Sequence, residues 1–163
     1  MILSINKRLN LIKLFDSLRL PTDLKDFLNN EYMLQLPLFL EKNYKHDFLL
    51  HTTIHNTDIS PNTLKYLSNK FNIKKIELEI SFIICLEVSK HTDIAEETDK
   101  MSNIYVFKSN NRFQINCGKR KRILKQGNVL RFNTHLPHSV DYINLKPKKF
   151  SQPIMLLLID KKK

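Results

Sequence analysis

A succession of short apolar and β-branched runs fills the chain after residue 75, and this pattern restricts the fold more than any other feature of the sequence. Turn signals at Ser109-Asn110-Asn111 and at Cys117-Gly118 separate several of these runs. Short strands joined by tight turns are typical of antiparallel sheets that pack as a sandwich or close into a barrel. The runs predicted to be strands cover residues 76–88, 104–107, 112–116, 127–138 and 154–159.

Three side chains within this pattern have the chemistry of a metal site. His91 and Asp93 stand at positions i and i+2, and in an extended strand such residues project to the same side. His138 must arrive from another strand, and the chain between Asp93 and His138 leaves room for the intervening hairpins. Two imidazoles and one carboxylate form the ligand set of a mononuclear non-haem Fe(II) site with open coordination positions. The alternative is that His91 and Asp93 form a polar strand end and that His138 is a turn residue beside Pro137.

This order of strands and motifs resembles the double-stranded β-helix of the 2-oxoglutarate- and Fe(II)-dependent oxygenases. In that family a His-x-Asp ends one strand, a glycine starts a later strand, and a distal histidine closes that strand. His91, Asp93, Gly127 and His138 match these positions, and the Gly127 segment is also similar to the second motif of the cupins, which share the architecture. The resemblance implies an α+β fold with a double-stranded β-helix core (jelly-roll or cupin-like) over residues 76–160.

The same resemblance implies a binding site for 2-oxoglutarate. The family holds the far carboxylate of this cosubstrate with an arginine past the distal histidine, followed two residues later by a serine. Here Lys149 and Ser151 stand at that spacing, with Lys146 and Lys148 as nearby competitors. A lysine supplies the positive charge but not the bidentate fork of an arginine. Tyr105, on the strand after the His-x-Asp, is expected to face the cosubstrate.

The strand that leads to His138 supplies further pocket candidates. Arg131 and Asn133 stand at i and i+2, so they share a face, and a shift of one residue in register would reverse which face that is. His135 precedes His138 by three residues, and we expect it to line the mouth of the pocket.

The chain before residue 76 is predicted to be mainly helical. Apolar residues between Ile5 and Leu18 follow a nearly helical spacing, and Thr22 and Ser60 are expected helix caps. The short apolar runs at 36–40 and 48–50 are predicted to be strands or covering loops. We expect the helices of residues 1–75 to pack on one face of the β-core within a single domain, 1–163.

The formal net charge is +11, and its densest run is Lys119, Arg120, Lys121 and Arg122, with Lys125 close behind. Such a run can neutralise phosphates or contact an acidic partner, whereas a solvated hairpin tip is the more common explanation. The sequence has no helix-turn-helix, zinc-finger or RNA-recognition signature.

Composition predicts one globular domain in the cytoplasm. Hydrophobic residues make up 42% of the chain, and no run approaches the roughly 18 apolar residues of a membrane span. The first residues lack the pattern of a signal peptide, so we expect no membrane contact. Cys85 and Cys117 imply no disulfide framework, with Cys85 buried and Cys117 exposed in a turn.

Three functions fit these observations, in descending order of support. The first is an Fe(II)- and 2-oxoglutarate-dependent dioxygenase, an oxidoreductase that acts on a small molecule or a peptide. The second is a cupin-like metal-binding module without 2-oxoglutarate, although the first cupin motif is absent and His91 with Glu96 or Glu97 substitutes poorly for it. The third is a non-catalytic basic module that binds nucleic acid or an acidic partner. Neither the substrate nor the oligomeric state has a signature in the sequence.

Three other histidines lie close together in the chain. His46, His51 and His55 could bind zinc, but a zinc site normally needs a defined fourth ligand, and surface or loop histidines are the favoured interpretation.

Overall fold

The computed structural model describes residues 11–42, 48–92, 101–143 and 152–162, and its strands form two antiparallel sheets that face each other. The described strands are β1 (Leu11–Phe15), β2 (Leu49–Ile54), β3 (Leu78–Cys85), β4 (Val88–His91), β5 (Met101–Lys108), β6 (Phe113–Cys117), β7 (Arg120–Ile123), β8 (Val129–Asn133), β9 (His138–Tyr142) and β10 (Ile154–Lys161). The large sheet has the order β1-β8-β5-β10-β3-β2, and the small sheet has the order β4-β9-β6-β7. From β3 onwards the chain crosses repeatedly between the two sheets, with β6 and β7 as a hairpin of the small sheet, which confirms the predicted double-stranded β-helix core and the α+β class.

Within the described ranges, two α-helices cover the large sheet on its outer side. They are α1 (Thr22–Lys42) and α2 (Pro61–Phe71), and short 3-10 turns occupy Asn56–Asp58 and Lys75–Glu77. The predicted cap of α2 is confirmed, because the Ser60 hydroxyl accepts a hydrogen bond from the Thr63 amide at 3.2 Å. No helix in the described ranges is long and apolar enough to cross a membrane.

Parts of the N-terminal half differ from the sequence-based prediction. Leu11–Phe15, predicted to be helical, is a strand that pairs with β8, while residues 5–10 lie outside the described ranges. Apolar residues at 11, 12, 14 and 15 fit a helical face as well as a strand, and pairing with β8 decides between them. Residues 36–40, predicted to be a strand or loop, continue α1 through Pro37, whose side chain is exposed.

The core has two layers because side chains alternate across the large sheet. On β3, Ile80, Phe82 and Ile84 pack against the helices, whereas Ser81 and Ile83 point between the two sheets. The turn before β8 is built on Gly127, whose φ of +93° lies in the region that only glycine adopts readily. Its amide donates to the Val106 carbonyl at 2.7 Å and ties the start of β8 to β5.

Candidate metal centre

His91 and His138 meet at one end of the small sheet. His91 is the last residue of β4, His138 is the first residue of β9, and the two are direct cross-strand partners. Their ring centroids lie 4.3 Å apart at an interplanar angle of 61°. The sequence predicts that His138 closes the strand of Gly127, but the chain turns after Asn133 and His138 instead begins a strand of the other sheet. This crossing between sheets brings the two imidazoles together.

Both rings have the same tautomer. His138 Nδ1 lies 2.8 Å from the Leu136 carbonyl oxygen, and His91 Nδ1 lies 2.7 Å from the Ser89 carbonyl oxygen. A carbonyl oxygen only accepts hydrogen bonds, so each Nδ1 must carry the proton and each Nε2 is the basic nitrogen. Histidines that bind metals typically have this arrangement, in which the second ring nitrogen donates to a carbonyl or carboxylate and fixes the ring.

The two histidines line a cavity of about 420 Å³ between the sheets, within the size range of small-molecule sites. The lining combines polar groups, among them both histidines, with an apolar wall. Polar lining residues are His51, Glu79, Ser81, Ser102, Thr134, Ser139 and Asp160, and apolar lining residues include Ile83, Cys85, Ile104, Ile115, Val140 and Leu156.

Asp160 is a fixed carboxylate in this wall. It accepts hydrogen bonds from the Ser102 hydroxyl at 3.0 and 3.1 Å and from the backbone N–H of Asn103 at 3.0 Å. Glu79 stands opposite Asp160 on the neighbouring strand and also lines the cavity. Among the described lining residues there is no lysine or arginine, so the cavity presents carboxylates in a strongly basic protein.

Sequence reasoning does not identify Asp160, Glu79 or Ser102. The alternation of side chains along each strand could have revealed them. Asp160 follows Leu156 and Leu158 at two-residue intervals and therefore shares their inward face. His51 also lines the cavity, and its Nε2 lies 3.0 Å from the Ser81 hydroxyl. The grouping of His51 with His46 and His55 in the sequence does not predict this position.

Several predicted site residues lie outside the described ranges. They are Asp93, Lys149 and Ser151, together with Lys146 and Lys148. Among the described residues no group of three or more His, Cys, Asp or Glu side chains could hold a metal ion. The described part of the site therefore consists of two imidazoles, and the third ligand and the cosubstrate anchor remain predictions.

Tyr105 faces away from the cavity. Its ring packs on the helix side of the large sheet, where its centroid lies 6.5 Å from that of Phe107. Burial raises the pKa of the Tyr105 hydroxyl, and the electrostatic effect of the neighbouring Tyr66 raises it further. The residues of β5 that point between the two sheets are Ser102, Ile104 and Val106. Tyr105 lies between them in sequence and therefore points to the other face, so the predicted contact with a cosubstrate was wrong.

The predicted pocket residues on β8, Arg131 and Asn133, also do not line the cavity. Phe132 and Thr134 line the cavity, with Phe132 5.0 Å from the His138 ring, whereas Arg131 donates from Nε to Asn103 Oδ1 at 3.0 Å and does not line it. Asn133 accepts from the His135 amide at 2.9 Å. His135 is not among the lining residues, and its buried Nε2 has no hydrogen-bond partner within the described chain.

Cys117 is buried, and its predicted exposure was wrong. It stands opposite His138 on β6, and its thiol lies 3.7 Å from the Asn133 carbonyl oxygen. Burial raises the pKa of the Cys85 thiol to about 12 and also raises the pKa of Cys117.

Both thiols are expected to resist modification in the folded protein. The thiolate is the reactive form, and raised pKa values together with burial leave almost none of it accessible at about pH 8. Native protein mixed with an aromatic disulfide reagent should release almost no chromophore over minutes, while protein in guanidinium should titrate both cysteines. Rapid labelling of one thiol in native protein would show that its strand opens on that timescale.

The basic run lies at the far edge of the small sheet. Lys119 is in the turn after β6, and Arg120, Lys121 and Arg122 form most of β7, all with exposed side chains.

No model of a known protein family matches the sequence, and no curated protein matches it. Among solved structures, a prolyl-4-hydroxylase from Pseudomonas putida is similar over 94% of this chain and 93% of its own, with a TM-score of 0.57 and 13% identity. A cupin 2 domain-containing protein from Halorhodospira halophila (TM-score 0.43, 9% identity, 76% of this chain and 72% of its own) also matches. So does a cupin superfamily protein from Desulfitobacterium hafniense (TM-score 0.41, 14% identity, 73% and 82%). The likeness to the hydroxylase supports the cupin-like fold and, at this identity, the fold alone.

Proposed function

We propose that this chain is a mononuclear non-haem Fe(II) oxygenase that uses 2-oxoglutarate as its cosubstrate. The observation that carries the proposal is the paired histidines, whose Nδ1 atoms both lie against backbone carbonyls and which line one cavity. His91 and His138 would ligate the metal through Nε2, and the carboxylate of Asp93 would complete the ligand set. The similar Pseudomonas putida structure is a prolyl-4-hydroxylase, so a hydroxylase can be built on this fold.

The chain's own residues would position the reactants. The carbonyls of Ser89 and Leu136 hold both imidazole rings, so the two Nε2 atoms keep their directions before a metal arrives. Bound Fe(II) and 2-oxoglutarate would, with dioxygen as the oxidant, supply the hydroxylation of an aliphatic C–H bond, with one oxygen atom entering the product hydroxyl, the other entering succinate, and carbon dioxide released. The apolar wall of Ile104, Val140 and Leu156 would keep water from the reacting groups.

The cosubstrate would depend on residues near the start of β10. Lys149 would bind the far carboxylate of 2-oxoglutarate with help from Ser151, because the described wall holds Glu79 and Asp160 but no lysine or arginine. This acidic wall is the observation that favours the second candidate, a cupin-like module that binds a metal without 2-oxoglutarate.

An anaerobic titration with Fe(II), with and without 2-oxoglutarate, tests the proposal. A chelated keto acid should produce a metal-to-ligand charge-transfer band only when both are present. Lys149→Ala should weaken 2-oxoglutarate binding by roughly ten- to a hundredfold, because a charge-assisted contact is lost, while Fe(II) binding stays unchanged.

Lys146→Ala is the matched control, since it removes a nearby lysine from the same segment, and it should bind 2-oxoglutarate like the wild type. Tight Fe(II) binding without any charge-transfer band would instead favour the cupin-like module. Failure to bind Fe(II), Mn(II) or Zn(II) would contradict both candidates.

A further inference from the structure

Strand β7 is a basic edge of the small sheet. Among the described strands it pairs only with β6, and β1 of the large sheet comes near it without pairing. Three of its four residues are arginine or lysine, and Lys119 precedes them. Within the described ranges no ion pair engages these side chains, so their charge is not neutralised there by a carboxylate.

The backbone of β7 presents hydrogen-bonding groups to the outside at Lys121. The Leu124 amide donates to the Phe113 carbonyl of β6 at 2.9 Å, so alternate residues, Arg122 and Arg120, also direct their backbone groups towards β6. The backbone groups of Lys121 and Ile123 therefore point away from β6. The Lys121 carbonyl accepts a hydrogen bond from the Arg122 guanidinium at 3.0 Å in an exposed environment, as a carbonyl outside the β6–β7 ladder can.

The positive side chains are distributed over both faces of this edge. Arg120 and Arg122 stand opposite Cys117 and Ile115, so they share the face of the small sheet that carries the histidine pair. Lys121 lies on the opposite face. A ligand that contacts all three must reach both faces, as the alternating side chains of an added β-strand do.

The edge is aligned with the candidate metal centre. His91, His138, Cys117 and Arg120 form one row of direct partners across the small sheet. The backbones of His138 and Arg120 are thus two strand spacings, roughly 10 Å, apart. A strand that added to β7 would have one end in line with the histidine pair.

We propose that β7 docks an acidic, extended peptide segment, which adds to the small sheet as a further antiparallel or parallel strand. Its backbone bonds to Lys121, and its carboxylates pair with Arg120, Lys121 and Arg122, with the Arg122 guanidinium moving from the Lys121 carbonyl to a carboxylate. The docked segment belongs to a protein substrate of the metal centre, and this last step alone rests on the proposed function. Single-stranded nucleic acid fits less well, because Lys119 to Ile123 contain no aromatic side chain on which a base could stack.

The test separates backbone pairing from charge. The probe is a fluorescein-labelled peptide of alternating glutamate and threonine, measured by anisotropy in EDTA so that no metal is needed. Lys121→Val removes the charge but keeps the outward N–H, and it should weaken binding by less than about fivefold. Lys121→Pro removes the N–H as well, while the bonds of Arg120 and Arg122 to β6 remain, and it should lose about tenfold more. Lys74→Val, which removes an exposed lysine elsewhere, should leave binding unchanged.

The same peptide with alternate backbone nitrogens methylated tests strand addition on the wild-type protein, whether or not Lys121→Pro folds. It should bind about tenfold more weakly than the unmodified peptide. Equal binding of the two peptides, or equal affinities of folded Lys121→Val and Lys121→Pro, would overturn the proposal. Tighter binding of oligothymidylate than of the peptide would also overturn it, in favour of nucleic acid. Because metal is absent, these outcomes do not depend on whether the Fe(II) titration succeeds.

Discussion

Replacing His138 with alanine is expected to abolish tight Fe(II) binding and to leave the β-core folded. The ring Nε2 would be lost from a pair in which both Nδ1 atoms are committed to backbone carbonyls. Loss of an outer hydrogen-bond partner alone typically costs roughly ten- to a hundredfold in metal affinity, so loss of a ligand should exceed about a hundredfold. Isothermal titration of anaerobic apo-protein would measure the change, and Asp93→Ala should behave in the same way.

His135→Ala is the matched control for His138→Ala. His135 lies three residues earlier, does not line the cavity, and has a buried Nε2 without a hydrogen-bond partner among the described residues. Its replacement removes an imidazole of the same kind and should leave Fe(II) affinity unchanged. Wild-type affinity in His138→Ala, or an equal loss in both variants, would show that the histidine pair is not the metal centre.

The strand pattern could be predicted because it depends on local signals. Alternating or continuous apolar runs identify strands without knowledge of their partners, as for 104–107 in β5 and 154–159 in β10. The convergence of His91 and His138 was expected from the resemblance to a family motif, and the structure reaches it differently, because His138 begins β9 instead of closing the strand of Gly127.

The inward face of each strand could not be predicted, because it depends on register. A shift of one residue exchanges the two faces, so the sequence favours Arg131 and Asn133 where Phe132 and Thr134 line the cavity. The prediction for Tyr105 was wrong for the same reason. Leu11–Phe15 illustrates a second limit, since its strand exists through pairing with a segment distant in sequence, and local periodicity does not report such pairing.

Replacing Phe82 with alanine is expected to destabilise the fold by about 3–5 kcal/mol, because a large buried ring is removed and the cavity closes only partly. Phe82 is fully buried in the middle of β3, opposite Leu157 of β10 and Thr52 of β2, and it packs in the core beneath the helices. Since domains of this size are stabilised by about 5–15 kcal/mol, the variant should lose a large part of its stability. Urea denaturation followed by circular dichroism would measure the loss.

Phe82 also tests whether the scaffold and the site are separable. Its neighbours Ser81 and Ile83 face the cavity, whereas Phe82 faces the helices, so folded Phe82→Ala protein should keep wild-type Fe(II) affinity at low temperature. Ile76→Ala is the control, because Ile76 is 81% exposed and its loss should change stability by less than about 0.5 kcal/mol. If Phe82→Ala were as stable as Ile76→Ala, the core between the large sheet and the helices would not hold the fold together. If folded Phe82→Ala lost Fe(II) binding, the helix-side core would itself position the histidines. If instead Phe82→Ala loses stability but keeps Fe(II) affinity, while His138→Ala loses Fe(II) affinity but stays folded, the metal centre and the core that supports it are separable.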